Sequence, residues 1–420
     1  MKLSLGQKLG IAAYMVRSIF TKPMVRAYKP SSQAFLYDPY PIFRQMRAKQ
    51  MVWSPYTLAW HICGDYETNL AWLKDERLGH SFRLWMFAPK SQANSAFDAL
   101  MDNSLMALPA KEHLRVRKLV SPAFSPRFVN EARPAIEKMV QEQLALNDHQ
   151  GEIDLVKLCR DIPVNAMALY FRIPDALRDD FRALGHAIIA SFSSEEELST
   201  ADVAAAERGI VQLRELFAQK RAKPDDSFMS TLINHMEEGD RISENEALAL
   251  MGSLLAAGVD TTFDYMLNAF YALVINPQWG PWLRQHEDKV QDLIEESSRW
   301  NNWGTRGFYR FATTDLDILG QQIKKGEIVQ IMTATSNYDP AVFPNPEKFD
   351  PTRDNIDKAM TFGIGVHYCL GHAIAKLISD TTLLAVVRRY PVLKAIEGPT
   401  REYNMVSRRI GTLVVKGEAA

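Results

Sequence analysis

The chain has 420 residues, of which 47% are hydrophobic, and its 49 basic and 50 acidic residues give a net charge of −1. This balance excludes the broad positive surface typical of nucleic-acid-binding proteins, so no nucleic-acid partner is expected. The three cysteines, Cys63, Cys159 and Cys369, are too few and too far apart for a disulfide framework. They predict a reducing, cytoplasmic compartment.

Residues 1–30 are a basic segment, and the first acidic residue of the chain is Asp38. Such a composition is compatible with a transit-like segment, with a membrane-surface segment, or with the N-terminal helix of a soluble protein. The apolar stretch is short, and no run of 18 or more apolar residues occurs in the sequence. The helix of a soluble protein is therefore favoured, and membrane association is not expected.

The region from residue 39 to residue 109 mixes several signals. Residues 39–50 have helical spacing, and two β-prone runs on either side of Pro55 predict a hairpin. The periodicity then disappears, and a long loop of this kind is often functional. Its aromatic side chains, with two from residues 181–192, are candidates for lining a substrate site, although each also fits an ordinary core position. These candidates are Phe82, Trp85, Phe87, Phe97, Phe181 and Phe192.

The rest of the chain is mostly helical in pattern. Helical periodicity dominates from Lys111 to Asn276, and short strands are predicted between Arg310 and Ile331. Residues 339–353 contain four prolines and are expected to be irregular. No repeat or clear linker divides the sequence. The prediction is one domain over residues 1–420, mainly α with a smaller β-rich portion.

The longest predicted helix begins at a capping box formed by Ser243 and Glu246 and stops before Pro277. Its length is about 50 Å at 1.5 Å per residue. The centre, AGVDTT at residues 257–262, is unusual. A glycine inside a helix costs about 1 kcal/mol relative to alanine, and an acid among apolar residues must be paired, hydrated or useful.

Two explanations of this centre remain open. The first is a kink that contains a satisfied polar pair. The second is an interruption of the helix beside a bound ligand. In that case Gly258 gives the ligand room, Thr261 offers a hydroxyl group and Asp260 supplies protons through water.

The segment FGIGVHYCLG, residues 362–371, places a cysteine among three glycines. Glycines let backbone N–H groups approach a sulfur atom and let a flat cofactor lie against the chain. A thiolate beneath an iron porphyrin is one explanation. A zinc site formed by His367, Cys369 and His372 is another, as is a catalytic cysteine with His367 as its base. A buried inert cysteine leaves the glycines unexplained.

This segment resembles the haem-binding loop of the cytochromes P450, whose pattern is F-x-x-G-x-H-x-C-x-G. Further similarities follow the order of that family. His113 to Arg117 is similar to its H-x-x-x-R helix, and residues 257–262 resemble its oxygen-activating helix centre. Further along, Glu296 to Arg299 is similar to its E-x-x-R, Arg310 to Ala312 to its R-x-A, and Phe349 to Arg353 to its F-D-x-x-R.

The resemblance implies the cytochrome P450 fold, with a long central helix over a buried haem b (iron protoporphyrin IX). Cys369 is then the metal ligand, and Asp260 and Thr261 are the catalytic acid–alcohol pair that supplies protons for oxygen activation. Arg115 is expected to form a surface ion pair. The remaining residues implied to contact the cofactor are His113, Arg117, Ala257, Gly258, Arg310, Phe362, Gly363, Gly365, His367 and Gly371.

The resemblance also implies a structural role for Glu296, Arg299 and Arg353, whose charges are expected to hold the haem loop. Asn337-Tyr338-Asp339 departs from the common N-R-D of the family. The stretch from Trp300 to Arg310 lacks the proline that often lines the substrate site, so no pocket shape can be carried over.

The activity implied is that of a haem-thiolate monooxygenase, which inserts one oxygen atom from O2 into a small apolar organic substrate. No flavin-binding motif is apparent, so electrons are expected from a ferredoxin- or flavodoxin-type donor with its reductase. Two alternatives remain: radical coupling of phenol-like substrates at the same haem, and a non-catalytic haem sensor or ligand carrier. The Asp260–Thr261 pair argues against the last of these.

Overall fold

A computed structural model of the chain places most of its residues. The described ranges are 5–21, 24–26, 28–49, 51–57, 59–81, 84–87, 96, 99–100, 103–105, 108–191, 199–237, 242–302, 304, 307–403 and 407–418. Three of the aromatic candidates for a substrate site, Phe82, Phe97 and Phe192, lie outside the described residues.

Helices account for most of the described chain, as predicted. They are α1 (Leu5–Thr21), α2 (Gln33–Tyr37), α3 (Tyr40–Ala48), α4 (Tyr66–Lys74), α5 (Ala110–Val120), α6 (Pro126–Glu131), α7 (Arg133–Asn147), α8 (Leu155–Phe171), α9 (Arg178–Ser191), α10 (Thr200–Ala222), α11 (Phe228–Glu237), α12 (Glu244–Ile275), α13 (Trp279–Gln285), α14 (Val290–Trp300), α15 (Thr333–Ser336) and α16 (His372–Arg389).

The strands are short. They are β1 (Met51–Val52), β2 (His61–Cys63), β3 (Leu78–Gly79), β4 (Asp148–His149), β5 (Glu152–Asp154), β6 (Phe308–Ala312), β7 (Leu316–Ile318), β8 (Gln321–Ile323), β9 (Ile328–Ile331), β10 (Val392–Glu397), β11 (Arg401–Tyr403), β12 (Arg408–Ile410) and β13 (Val414–Glu418).

The chain divides into two compact units. The first contains residues 1–91, 291–369 and 398–412, and the second contains residues 92–290, 370–397 and 413–420. The single domain expected over residues 1–420 stays a prediction.

The first unit is built on a five-stranded sheet in the order β1-β2-β9-β6-β3, as far as the described residues show. Met51 pairs with Cys63 across the antiparallel β1–β2 hairpin, which confirms the hairpin predicted on either side of Pro55. Strand β9 runs parallel to β2 and antiparallel to β6. The sheet therefore fixes the position of β6, which carries Arg310 at a buried position.

Two of the aromatic candidates belong to the core of this unit. Trp85 is 3% exposed, and Phe87 packs against the same hydrophobic cluster, which also contains Trp60. The ring centroids of Trp85 and Phe87 lie 5.7 Å apart. The structure thus supports the ordinary core position that was the alternative for both side chains, and a role in a substrate site stays a prediction.

The second unit is organised around α12, which packs against α8, α9 and α16. The predicted capping box is present: the Ser243 hydroxyl accepts from the backbone N–H of Glu246, and the Glu246 carboxylate accepts from the backbone N–H of Ser243. The helix ends at Ile275, as the following Asn276-Pro277 predicts. It runs without a break through residues 257–262, so the alternative of an interrupted helix is wrong.

Candidate functional site

The predicted haem loop owes its shape to glycines. Gly363 and Gly365 have φ angles of +73° and +78°, a left-handed conformation that residues with a Cβ rarely adopt. A Cβ added at Gly365 would lie 3.2 Å from the carbonyl oxygen of Leu73. A Cβ added at Gly363 would meet no atom of the described residues within 4 Å. The loop therefore has open space on one side, which a flat cofactor can use.

Cys369 lies near the end of this loop and is hydrogen-bonded to its first residue, Phe362. Its backbone N–H donates to the carbonyl oxygen of Phe362 at 2.9 Å. Cys369 is partly exposed, whereas Cys63 and Cys159 are buried. Burial raises the pKa of the Cys63 and Cys159 thiols, which keeps them protonated. Of the three cysteines, Cys369 is thus the one that a ligand can reach.

Cys369 lies shortly before a helix in the chain. Helix α16 begins three residues later and has 18 residues, with Gly371 as its N-cap. The N-terminus of a helix carries a partial positive charge, and an anionic ligand atom is favourable close to it.

One asparagine anchors the start of the loop. The Asn337 side-chain oxygen accepts from the backbone N–H of Met360 at 2.7 Å. The Asn337 carbonyl oxygen in turn accepts from Nη1 of Arg299 at 3.1 Å. Asn337 is fully buried, so both bonds are shielded from water. The loop is therefore connected to a buried ion pair through one residue.

That ion pair contains the three charged residues expected to act as a scaffold. Glu296 and Arg299 are both 0% exposed and form a bidentate pair, with N–O distances of 2.6 and 2.8 Å. Arg353 donates to the same carboxylate at 3.0 Å. The two arginines also bind backbone carbonyls of the irregular segment 339–353, which confirms the predicted scaffold. These carbonyls belong to Pro344, Asn345, Pro346 and Lys348.

Arg310 is a buried cation in the first unit. Its guanidinium donates to the carbonyl oxygen of Tyr309 at 2.8 Å and lies 5.6 Å from the centroid of the Phe308 ring. Among the residues that the structure describes, no carboxylate pairs with it. Burial lowers the pKa of Arg310 to about 9, because desolvation disfavours the charged form. An anionic group of a ligand would offset this cost.

His367 has a neighbour that the sequence did not single out. The ring centroids of His80 and His367 lie 3.4 Å apart. His80 follows strand β3 and is half-buried. The isolated sequence Gly79-His80 gives no recognisable signal, because the contact depends on how β3 is placed in the sheet. His80 is therefore a functional candidate that only the fold reveals.

In the second unit, His113 and Arg117 lie one turn apart on α5. His113 is 2% exposed and Arg117 is half-buried, so both side chains point away from the exposed side of the helix. Arg115, between them in sequence, forms an ion pair with Glu246. The surface ion pair predicted for Arg115 is confirmed.

The centre of α12 is the accessible part of an otherwise buried stretch. Leu255 and Ala256 are buried, as are residues 262–270, whereas Ala257 is exposed and residues 258–261 are half-buried. The Thr261 hydroxyl donates to the carbonyl oxygen of Ala257 one turn earlier. This bond fixes the rotamer of Thr261 without breaking the helix. Polar groups are thus presented at an open part of the helix surface.

Gly258 has a closer neighbour than expected. A Cβ added at this position would lie 2.4 Å from the side chain of Met167 on α8. The glycine therefore allows close packing of α12 against α8. Its predicted contact with a ligand stays a prediction.

The structure argues against the zinc site that the sequence left open. Within the described ranges, no group of three His, Cys, Asp or Glu side chains is arranged to hold a metal ion. The set His367, Cys369 and His372 therefore does not form a three-ligand zinc site.

Comparisons with known proteins agree with this geometry. The family model described as "Cytochrome P450" matches residues 89–413. The chain is 30% identical over 407 residues to an "Epothilone C/D epoxidase" from Sorangium cellulosum, covering 94% of this chain and 96% of the relative. It is 32% identical over 289 residues to "Cytochrome P450 107B1" from Saccharopolyspora erythraea, covering 69% and 70% of the two chains.

A solved structure of another protein has a fold similar to that of this chain. The structure titled "Epothilone B-bound Cytochrome P450epoK" superposes with a TM-score of 0.88 and 28% identity. The match covers 94% of this chain and all of the other.

Proposed function

Since this chain belongs to the cytochrome P450 family, we propose that Cys369 binds its haem iron and that its substrate is an apolar organic molecule. Family membership makes the protein a haem-thiolate monooxygenase, an oxidoreductase that binds haem b and incorporates oxygen from O2. It also removes the alternative of a catalytic cysteine with His367 as base. Haem b supplies oxygen activation when bound. The protein binds it, orients the substrate and delivers protons.

The observation that carries the assignment of Cys369 is the geometry of its loop. The thiol is partly exposed, the glycine conformations leave space beside the backbone, and α16 begins three residues later. Phe362, Gly363, Gly365 and Gly371 are proposed to contact the cofactor from this segment. A thiolate in this role favours O–O cleavage, which is the chemistry of the family.

The two propionates of haem b need cationic partners. In the first unit, we assign Arg310 and His367 to this role, with His80 beside His367 as an additional candidate. Arg310 supports the assignment because it is a buried charge without a carboxylate partner in the described chain. In the second unit, His113 and Arg117 are assigned the same role from their shared helix face.

Arg310 gives a test that separates cofactor binding from folding. In Arg310→Met, we expect haem to dissociate about ten- to a hundredfold faster, because a charge-assisted hydrogen bond contributes about 1.5–3 kcal/mol. The apoprotein should be as stable as the parent or more stable, because a desolvated charge has been removed. Haem transfer to apomyoglobin measures the first quantity, and urea unfolding of the apoprotein measures the second.

Arg310→Lys is the matched control, since it keeps the charge and should retain most of the haem affinity. Unchanged haem dissociation in Arg310→Met, or a large loss of apoprotein stability, would mean that Arg310 serves the fold instead.

Asp260 and Thr261 are assigned the proton delivery. Both are half-buried in the accessible centre of α12, and the Thr261 hydroxyl is held by Ala257. A hydroxyl held in one rotamer can pass a proton at a fixed position, and Asp260 can replenish it through water. Ala257 and Gly258 are proposed to contact the cofactor from the same turn.

The substrate assignment rests on the family and on the relatives. One relative is named an epoxidase, which supports testing alkenes together with saturated apolar compounds. Electrons are proposed to come from a ferredoxin- or flavodoxin-type donor with its reductase. The low number of cysteines, two of which are buried, supports a reducing, cytoplasmic compartment.

A ligand screen followed by isotope labelling tests this assignment. Apolar compounds that displace the iron-bound water shift the Soret band, and each such compound is then turned over under ¹⁸O2 with a surrogate donor. We expect one ¹⁸O atom in the product. A coupled product without ¹⁸O would indicate radical coupling. Tight binding without any product or oxygen uptake would indicate a sensor or carrier.

A further inference from the structure

Helix α1 has one side that is packed into the first unit. Ile11, Tyr14 and Met15 pack against the hydrophobic cluster that includes Trp60. The ring centroids of Tyr14 and Trp60 lie 4.0 Å apart. On the same side, Nε2 of Gln7 donates to the carbonyl oxygen of Phe87 at 2.9 Å. This face therefore packs α1 against the first unit.

The opposite side of α1 is also apolar, and it faces solvent. Leu5, Leu9, Val16 and Phe20 are 74%, 62%, 54% and 83% exposed. Their spacings of four, seven and four residues place them in one stripe along a helix of 3.6 residues per turn. The exposed Ala12 and Ala13 fill the gap in the stripe. A contiguous exposed apolar surface of this kind marks an interaction site.

The charge of the N-terminal segment indicates what the stripe contacts. The sequence contains six basic residues and no acidic residue before Asp38. Lys8, Arg26 and Lys29 are exposed. Apolar side chains on one helix face, combined with cations and no acids, are typical of helices that lie in the interface of an anionic bilayer. In the part of the chain that the structure describes, no helix is long and apolar enough to cross a membrane.

We propose that the outer stripe of α1, formed by Leu5, Leu9, Val16 and Phe20, binds the surface of a membrane that contains anionic lipids. Composition alone favoured the helix of a soluble protein, because it cannot show that a second apolar face points outward. The packed face keeps α1 on the protein while the outer stripe inserts between lipid head groups. The inference does not depend on the haem or on the assigned site residues.

Co-sedimentation of the haem-loaded protein with vesicles tests the proposal. One set of vesicles is phosphatidylcholine, and the other is phosphatidylcholine with phosphatidylserine at 3:1. We expect partitioning onto the anionic vesicles and little onto the neutral ones. The double variant Leu9→Ser/Phe20→Ser should partition at least tenfold more weakly, because it loses the apolar contact. Lys8→Gln should bind about fivefold more weakly.

Leu146→Ser is the matched control, because Leu146 is 67% exposed on α7 and lies outside the stripe. This variant should bind like the parent, and an unchanged haem spectrum in every variant shows that each is folded. Three results would overturn the proposal: no binding to anionic vesicles, equal binding to both vesicle types, or binding that the double variant leaves unchanged. A dimer in light scattering that the double variant abolishes, without vesicle binding, would assign the stripe to a second copy of the chain.

Discussion

Replacing Arg299 with alanine is expected to lower the free energy of unfolding by about 3–5 kcal/mol and to leave little soluble haem protein. The guanidinium is fully buried and holds the Glu296 carboxylate and three backbone carbonyls. Its removal would leave a buried carboxylate with Arg353 as the remaining cation. It would also release Asn337, which anchors the haem loop through Met360.

Denaturant unfolding and the yield of haem-loaded protein measure this effect. A loss of this size approaches the whole stability of many domains, which is about 5–15 kcal/mol. Arg388→Ala is the matched control, because Arg388 also forms a bidentate pair with a glutamate, Glu287, but at the surface. It should cost about 1 kcal/mol or less. Equal effects of the two variants would contradict the scaffold role of Arg299.

Replacing Thr261 with alanine is expected to separate electron consumption from product formation. The variant should still bind haem and consume reductant, because α12 is continuous and the bond of the Thr261 hydroxyl among the described residues lies within this helix. A positioned proton donor contributes about 10²–10⁴-fold to a reaction step. We therefore expect the fraction of electrons recovered in product to fall at least tenfold, with hydrogen peroxide released instead.

Thr261→Ser is the control for this prediction, since it keeps the hydroxyl and should retain most of the coupling. Product, peroxide and reductant are quantified in the same reaction with one substrate from the ligand screen. Coupling that is equal in Thr261→Ala and the parent would refute the proposed role. If Thr261→Ser uncouples as strongly as alanine, the side-chain methyl group matters rather than the hydroxyl.

Local signals in the sequence predicted much of the fold. The capping box at Ser243 and Glu246, and the proline after Asn276, predicted both ends of α12, because caps and prolines act on the nearest turn of the chain. The charges of Glu296, Arg299 and Arg353 were recognised only as part of a family pattern. The bond from Arg353 to Glu296 joins residues 57 positions apart, which no local rule predicts.

The errors also have physical causes. Residues 257–262 left an interrupted helix open, but the helix is continuous there, and Gly258 allows it to pack closely against α8. The aromatics Trp85 and Phe87 fitted either a substrate site or a core position, and the structure packs them with the hydrophobic cluster that α1 contacts. The outward stripe of α1 and the contact of His80 with His367 depend on tertiary packing, so periodicity alone could not reveal them.

The absorbance spectrum of the ferrous protein with carbon monoxide tests the central claim, that the Cys369 thiolate binds the haem iron. We predict a Soret band at the long-wavelength position typical of thiolate-ligated haem. In Cys369→His, the band should move to the position typical of histidine-ligated haem. A parent protein that already absorbs at the histidine position, or a Cys369→His variant with an unchanged spectrum, would contradict the account.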